Sequence, residues 1–181
     1  MSHAVASTWV GELAQRHLDA AYNLGRWLLG NDQDAADAVH DAYVRAARSA
    51  HTYAGGNARA WWLTIVRNCC LAKLSSRQRE VQVQDIDAAT VASSLPRTAD
   101  NEVEEQAAAA QSGARIAAHL RALPVEFRET LVLREIEEMS YRDIATITGV
   151  PIGTVMSRLA RGRALLQRAL ATDAQEPSHG L

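Results

Sequence analysis

Cysteine is scarce in this sequence: two residues in 181, adjacent at Cys69-Cys70. Neighbouring cysteines rarely close an unstrained disulfide. With no second cysteine pair and no suitably spaced histidine pair, no zinc site is expected, and the two thiols read as small, semi-buried side chains. Aromatics are also few, at 5%. Alanine is abundant instead, and no run of β-branched residues alternates as a strand would, so the expected fold is all-α. No apolar stretch is long enough to span a bilayer, and the first residues lack a signal-peptide pattern. A cytoplasmic protein without membrane insertion is expected. Neither a nucleophile elbow, a Walker loop nor a metal-ligand cluster is found, so the expectation is a non-enzyme without a cofactor. A large positive excess is missing too: the net charge is −2 and the pI about 6.3. That argues against indiscriminate binding to nucleic acid.

What is present is distribution. The 48% hydrophobic content supports real cores, and the length suits one medium domain or two small ones. Between residues 57 and 79 every charge is positive: Arg59, Arg67, Lys73, Arg77 and Arg79. Residues 80–111 carry Glu80, Asp85, Asp87, Asp100, Glu102, Glu104 and Glu105 against Arg97 alone. Between Pro151 and Leu170 stand Arg158, Arg161, Arg163 and Arg168 without an acid. The chain alternates basic, acidic, basic.

Residues 139–163 read as a helix-turn-helix. Ser140 can cap the first helix. Ile144 and Ala145 face inward, where a small alanine lets a second helix cross closely. Gly149 marks the sharp turn, because a left-handed conformation costs glycine nothing. Pro151 suits the first turn of the next helix. There Val155, Leu159 and Leu166 share one face, and Thr154, Ser157, Arg158 and Arg161 another. A helix apolar behind and basic in front suits a DNA major groove.

Upstream, residues 9–29 keep a helical period, forming one or two helices that end near Gly30. A helix over 34–48 buries Ala35, Val39, Ala42, Tyr43 and Ala46 and turns Asp37, Asp41, Val44 and Arg48 away. That outer face is either simply solvated or a docking surface, and spacing leaves both open. Gly55-Gly56 marks a loop. A helix from about Ala58 to Arg77 follows, with Trp62, Ile65, Val66 and Cys69 as core stripe. Trp61, Thr64 and Asn68 lie on a neighbouring stripe. Trp61 is either the rim of a core or, beside amides and cations, a platform for single-stranded DNA. Residues 80–100 lose periodicity and read as a flexible linker. Helical pattern returns from about Asn101 to Leu123, with Ile116 and Leu120 buried, and again over 125–138. Beyond about Thr172 a short polar tail is expected to fray. The expected organisation is two small helical domains, 1–79 and 101–171, joined by a linker over 80–100 and followed by a tail over 172–181.

Taken together, two stretches resemble an extracytoplasmic-function (ECF) sigma factor of the bacterial RNA polymerase sigma family. One is Asp34-Ala-Ala-Asp-Ala-Val-His-Asp-Ala-Tyr-Val-Arg-Ala-Ala followed by Asn57-Ala-Arg-Ala-Trp-Trp-Leu-Thr-Ile-Val-Arg-Asn-Cys-Cys. The other is Leu123-Pro-Val-Glu-Phe-Arg-Glu-Thr-Leu-Val-Leu-Arg-Glu with Ser140-Tyr-Arg-Asp-Ile-Ala and Gly153-Thr-Val-Met-Ser-Arg-Leu-Ala-Arg-Gly-Arg. The likeness covers about residues 16–79 and 115–170.

The resemblance implies a specificity subunit that binds core RNA polymerase, promoter DNA and, in most of the family, an anti-sigma factor. It implies docking on a coiled coil of the largest subunits through Asp37, His40, Asp41 and Val44. It implies capture of the melted −10 element by Tyr53, Asn57, Trp61, Arg67 and Asn68. Reading of the duplex −35 element would fall to Arg142, Thr154, Met156, Ser157, Arg158, Arg161 and Arg163. The acidity of the linker would keep it off the DNA. Three positions depart from the family's usual residues: His40 stands where Gln is common, Met156 where Lys or Arg is common, and the basic run after residue 74 is thinned to Ser75-Ser76-Arg77. The alternatives are a sigma-like decoy that sequesters an anti-sigma factor, and a simple repressor or activator using residues 124–170.

Overall fold

The structure is a computed structural model that describes residues 3–84 and 104–175, with side chains placed over 8–79 and 112–173. Among these residues there are eight α-helices and no strand. In the N-terminal half these are α1 (His3–Arg16), α2 (Leu18–Leu29), α3 (Asp32–Ser49) and α4 (Ala58–Gln84). In the C-terminal half they are α5 (Glu104–Ala122), α6 (Val125–Leu131), α7 (Tyr141–Thr148) and α8 (Ile152–Gln175).

Local chemistry sets the boundaries. Gly30 ends α2 at φ +82°, and its N–H donates to the Arg26 carbonyl. Asn31 then caps α3 by accepting from the Asp34 N–H at 2.8 Å. Alanines at 35, 38, 42 and 46 give α3 a buried face without bulk. The approach to α2 is close: a Cβ on Gly25 would meet the Ala35 Cβ at 3.2 Å and its Cα at 3.3 Å. Trp62, Leu63 and Val66 of α4 are fully enclosed against Leu24 and Leu28 of α2. Each such side chain contributes roughly 1.5–3 kcal/mol relative to exposure.

The C-terminal half buries Leu131, Val132, Leu133, Ile144, Ile147, Val155 and Leu159. After α6 the chain widens into a π-helical turn over Val132–Ile136, where the Glu137 N–H reaches back five residues to the Val132 carbonyl at 3.0 Å. α6 crosses α8 at Gly162, where a Cβ would meet Leu131 Cδ1 at 3.0 Å. The two halves pack directly, α2 on α6 and α4 on α7, and their buried side chains form one continuous cluster.

Several expectations change. Helix α4 runs to Gln84, past the expected end near Arg77, and α8 runs to Gln175, taking in Thr172. The helix expected over 125–138 divides at the π turn. Tyr43 and Ile116, expected inside, are 38% and 44% exposed, since α1 and α8 cover only part of the faces that carry them. Pro151 precedes α8 instead of sitting in its first turn, its carbonyl accepting from the Thr154 and Val155 N–H groups. Residues 85–100 of the expected linker and 176–181 of the tail lie outside the described residues.

Candidate nucleic-acid interface

The loop before α4 is built on Gly55 and Gly56, at φ +94° and +93°. Both values lie where a side chain would be strained. Tyr53 folds over this turn and its hydroxyl donates to the Gly56 carbonyl at 2.7 Å. Asn57 Oδ1 accepts from the Ala60 N–H at 3.2 Å and so caps α4. The expected base-holding residue is thus also what starts the helix. Tyr53 and Trp61 meet edge to face, with ring centroids 5.7 Å apart. A third ring joins them: Trp9 of α1 lies 4.9 Å from Tyr53 and 5.6 Å from Trp61. All three are half-buried. The arrangement offers a π-rich wall whose geometry each ring fixes for the others. Asn68 is exposed two turns further along α4, about 10 Å on. Arg67 does not share that outlook; it turns to Glu129 of α6, with Nε at 2.7 Å and Nη2 at 2.9 Å from the carboxylate oxygens.

The helix-turn-helix forms as the residues suggested. The Ser140 Oγ accepts from the Asp143 N–H and donates to its carboxylate. Gly149 adopts φ +71° and bonds to the Ala145 carbonyl. α8 then presents exposed Met156, Ser157 and Arg161, with half-buried Thr154 and Arg158 beside them. Arg142 of α7 is exposed as well. Ser157 Oγ donates to the Thr154 carbonyl. Arg158 Nη1 stands 3.5 Å from Glu129. Arg163 is claimed by Glu135, at 3.1 and 2.6 Å, and that hydrogen bond raises its pKa above the usual arginine value. Among the described residues, Arg161 is therefore the arginine of the expected α8 set that faces outward without a carboxylate partner, while Arg158 and Arg163 are engaged.

On α3, Asp37, His40 and Asp41 are exposed and Val44 half-buried, all on the face turned from the core. Lys73 of α4 approaches Asp37 at 3.7 Å, and Arg77 pairs with Asp34. His40 and Tyr43 border an apolar hollow of about 600 Å³ that reaches Leu18 and Trp62. Among the described residues no cluster of three or more potential metal ligands occurs, and no helix is long and apolar enough to cross a membrane.

Sequence reasoning missed Trp9, Glu129 and Glu137. Trp9 lies far along the chain from Tyr53 and Trp61, so only the fold brings it to them. The two glutamates, 1% and 6% exposed, lie on α6 and just after the π turn, where they meet arginines of the N-terminal half.

Comparison with known proteins places both halves of the chain. The Sigma-70 region 2 model matches residues 13–80, and the Sigma-70, region 4 model matches residues 114–166. The ECF RNA polymerase sigma factor SigE of Mycolicibacterium smegmatis is 34% identical over 176 residues, 96% of this chain and 65% of the relative, so the chain spans about two thirds of that protein's length. The ECF RNA polymerase sigma factor EcfG of Rhodopseudomonas palustris is 36% identical over 151 residues, covering 82% of this chain and 78% of the relative. Among solved structures, the sigma factor RpoE of Bartonella quintana, crystallised with the anti-sigma factor NepR, superposes with a TM-score of 0.71. It is 27% identical, with 90% of this chain and 97% of that one covered. With both sigma regions matched, and relatives above 30% identity aligned over most of their length, this chain belongs to the ECF family of RNA polymerase sigma factors.

Proposed function

We propose that this chain binds core RNA polymerase and directs it to promoters, reading the −10 element as melted single strand and the −35 element as duplex. The observation that supports the reading is the coexistence in one chain of two surfaces with different chemistry, each suited to a different form of nucleic acid. An aromatic wall of Trp9, Tyr53 and Trp61 stands beside exposed Asn68, and an outward arginine, Arg161, stands on the second helix of a helix-turn-helix. Rings suit unpaired bases, because every base has a π-face. The α8 helix suits a duplex, with Ser157, Arg161 and Arg142 able to reach base edges and phosphates. Met156, 55% exposed, offers apolar contact where a cation would grip phosphate.

Opening the duplex needs no covalent chemistry. Extruding a base costs a few kcal/mol, and stacking on an aromatic ring returns roughly 1–3 kcal/mol per base. A captured base thus offsets its own extrusion, and polymerase supplies the catalysis. The exposed acids of α3, Asp37 and Asp41, with His40 and Val44, form the surface for docking on polymerase. The likeness to a sigma factor crystallised with an anti-sigma factor supports a protein of that kind as a further partner.

Runoff transcription with purified core polymerase, this chain and a genomic promoter pool tests the proposal. Discrete new start sites, absent with core alone, are expected. Binding to core without start sites would favour a decoy that sequesters an anti-sigma factor, and failure to bind core would overturn the assignment.

A further inference from the structure

The most enclosed acid in the described residues, Glu129 on α6, holds arginines from both candidate nucleic-acid surfaces. Arg67 of α4 grips its two oxygens in a fork, at 2.7 and 2.9 Å, the geometry a guanidinium uses on phosphate as readily as on carboxylate. Arg158 of α8 stands 3.5 Å from the same group. A second joint lies nearby: Arg59 Nη2 donates to Glu137 Oε2 at 2.6 Å, and Asn23 Nδ2 donates to Oε1 at 3.3 Å. Around them the Arg128 Nη2 donates to the Leu28 carbonyl at 3.4 Å, and the Arg121 guanidinium lies over the Trp27 ring at 5.2 Å. All but one of these contacts run from the N-terminal half to the C-terminal half; the Arg158 contact lies within the C-terminal half.

Burying a carboxylate costs desolvation that its partner often fails to return, so such a pair is a poor source of stability. It is a good source of conditionality. Arg67 and Arg158 can serve DNA only once Glu129 releases them.

Resting on the reading of α4 and α8 as nucleic-acid surfaces, we propose that the free chain is latched shut by its own carboxylates. Glu129 occupies Arg67 and Arg158 as an internal phosphate mimic, and Glu137 on Arg59 forms the second joint. Nucleic acid and Glu129 then compete for the same guanidinium groups. Parting of the halves frees Arg67 and opens Glu129 to solvent, where nucleic acid can displace it from Arg158, which stays in the same half; one side chain thus couples the −10 and −35 surfaces.

The test uses the full chain without polymerase. Wild type, Glu129→Gln and Glu137→Gln are compared by small-angle scattering and by titration of labelled oligothymidine and a generic duplex over a salt series. Both variants are expected to show a larger radius of gyration than wild type. Glu129→Gln should also bind both probes more tightly at low salt. Its log K against log salt should steepen by about one to two, because Arg67 and Arg158 each gain a phosphate. If Glu129→Gln loses helical circular dichroism, Glu137→Gln at the outer joint decides by the radius alone. Unchanged radius in the folded variants, or an unchanged salt slope in a folded Glu129→Gln, would overturn the latch and leave Glu129 an ordinary internal partner. That failure is separable from failure of the sigma assignment, which is read from wild-type start sites with core polymerase. A chain that opens on Glu129→Gln yet starts no transcription would keep the latch and lose the assignment.

Discussion

At the scale of single residues, neighbouring arginines have different standing. Arg161 is exposed on α8, whereas Arg163 two residues on is tied to Glu135. Arg161→Ala is expected to weaken promoter duplex binding by ~1–3 kcal/mol if it forks onto a base edge, measured by competition titration. Unchanged affinity would remove it from the interface. Asn68→Ala should leave duplex binding intact and reduce permanganate reactivity of −10 thymines in the complex with polymerase; normal reactivity would defeat its role. Cys70 makes a prediction of another kind. It is fully enclosed, and burial pushes its thiol from the usual 9.0 up to about 12. A raised folded value means the unfolded chain loses its proton first. The stabilisation is thus complete below about pH 9 and is lost as pH climbs from there towards 12. Denaturant midpoints should fall across that window, and more shallowly in Cys70→Ala after correction for its neutral-pH stability. Around the candidate site, the Ser140 cap, the nearness of Tyr53 to Trp61 and the outward face of Arg161 were legible, because each depends on residues close by in the chain. It could not reveal that Arg67 is engaged, since its partner lies 62 positions away.

Elements were legible where their signals are local. Gly30, Ser140 and Gly149 punctuate α2 and α7 by a cap and left-handed turns that the residue types announce, whereas α3, for which Asp32 or Asp34 was the expected cap, is capped by Asn31. Ser140→Ala should cost about 1 kcal/mol, read as a lowered melting temperature, and a variant as stable as wild type would show the cap to be idle. The length of α4 was not legible. Its polar continuation past residue 77 has no breaker, but it also has no apolar period to signal that the helix goes on. The π turn after α6 was hidden too, because Val132, Leu133 and Ile136 look equally at home in an unbroken helix. Exposed Ile116 and Tyr43 teach the same lesson: a period gives the face an apolar residue shares, and packing decides whether that face is covered.

For the molecule as a whole, the all-α class followed from composition, but the packing of one half on the other did not. That packing brings Glu129 and Glu137 to arginines in distant helices, which no local pattern announces. All four tryptophans, at 9, 27, 61 and 62, lie in the N-terminal half, whereas far-ultraviolet circular dichroism sums both halves. Coincident urea transitions by the two probes are therefore expected for wild type, as for a single cooperative unit. In Glu137→Gln the transitions should separate. Separation already in wild type would show that the halves unfold independently.

The π turn over Val132–Ile136 has a consequence for angular phase. A π turn holds one residue more than an α-helical turn, and a residue in an α-helix advances the side-chain direction by about 100°. Deleting one residue there would let α6 run on as a regular helix. Every side chain beyond it would then arrive rotated relative to Glu129 by that amount. Glu137 would no longer point at Arg59, and the helix-turn-helix would leave α6 on a different compass bearing. The angle between the aromatic wall on α4 and the exposed face of α8 is in this sense metered by one inserted residue.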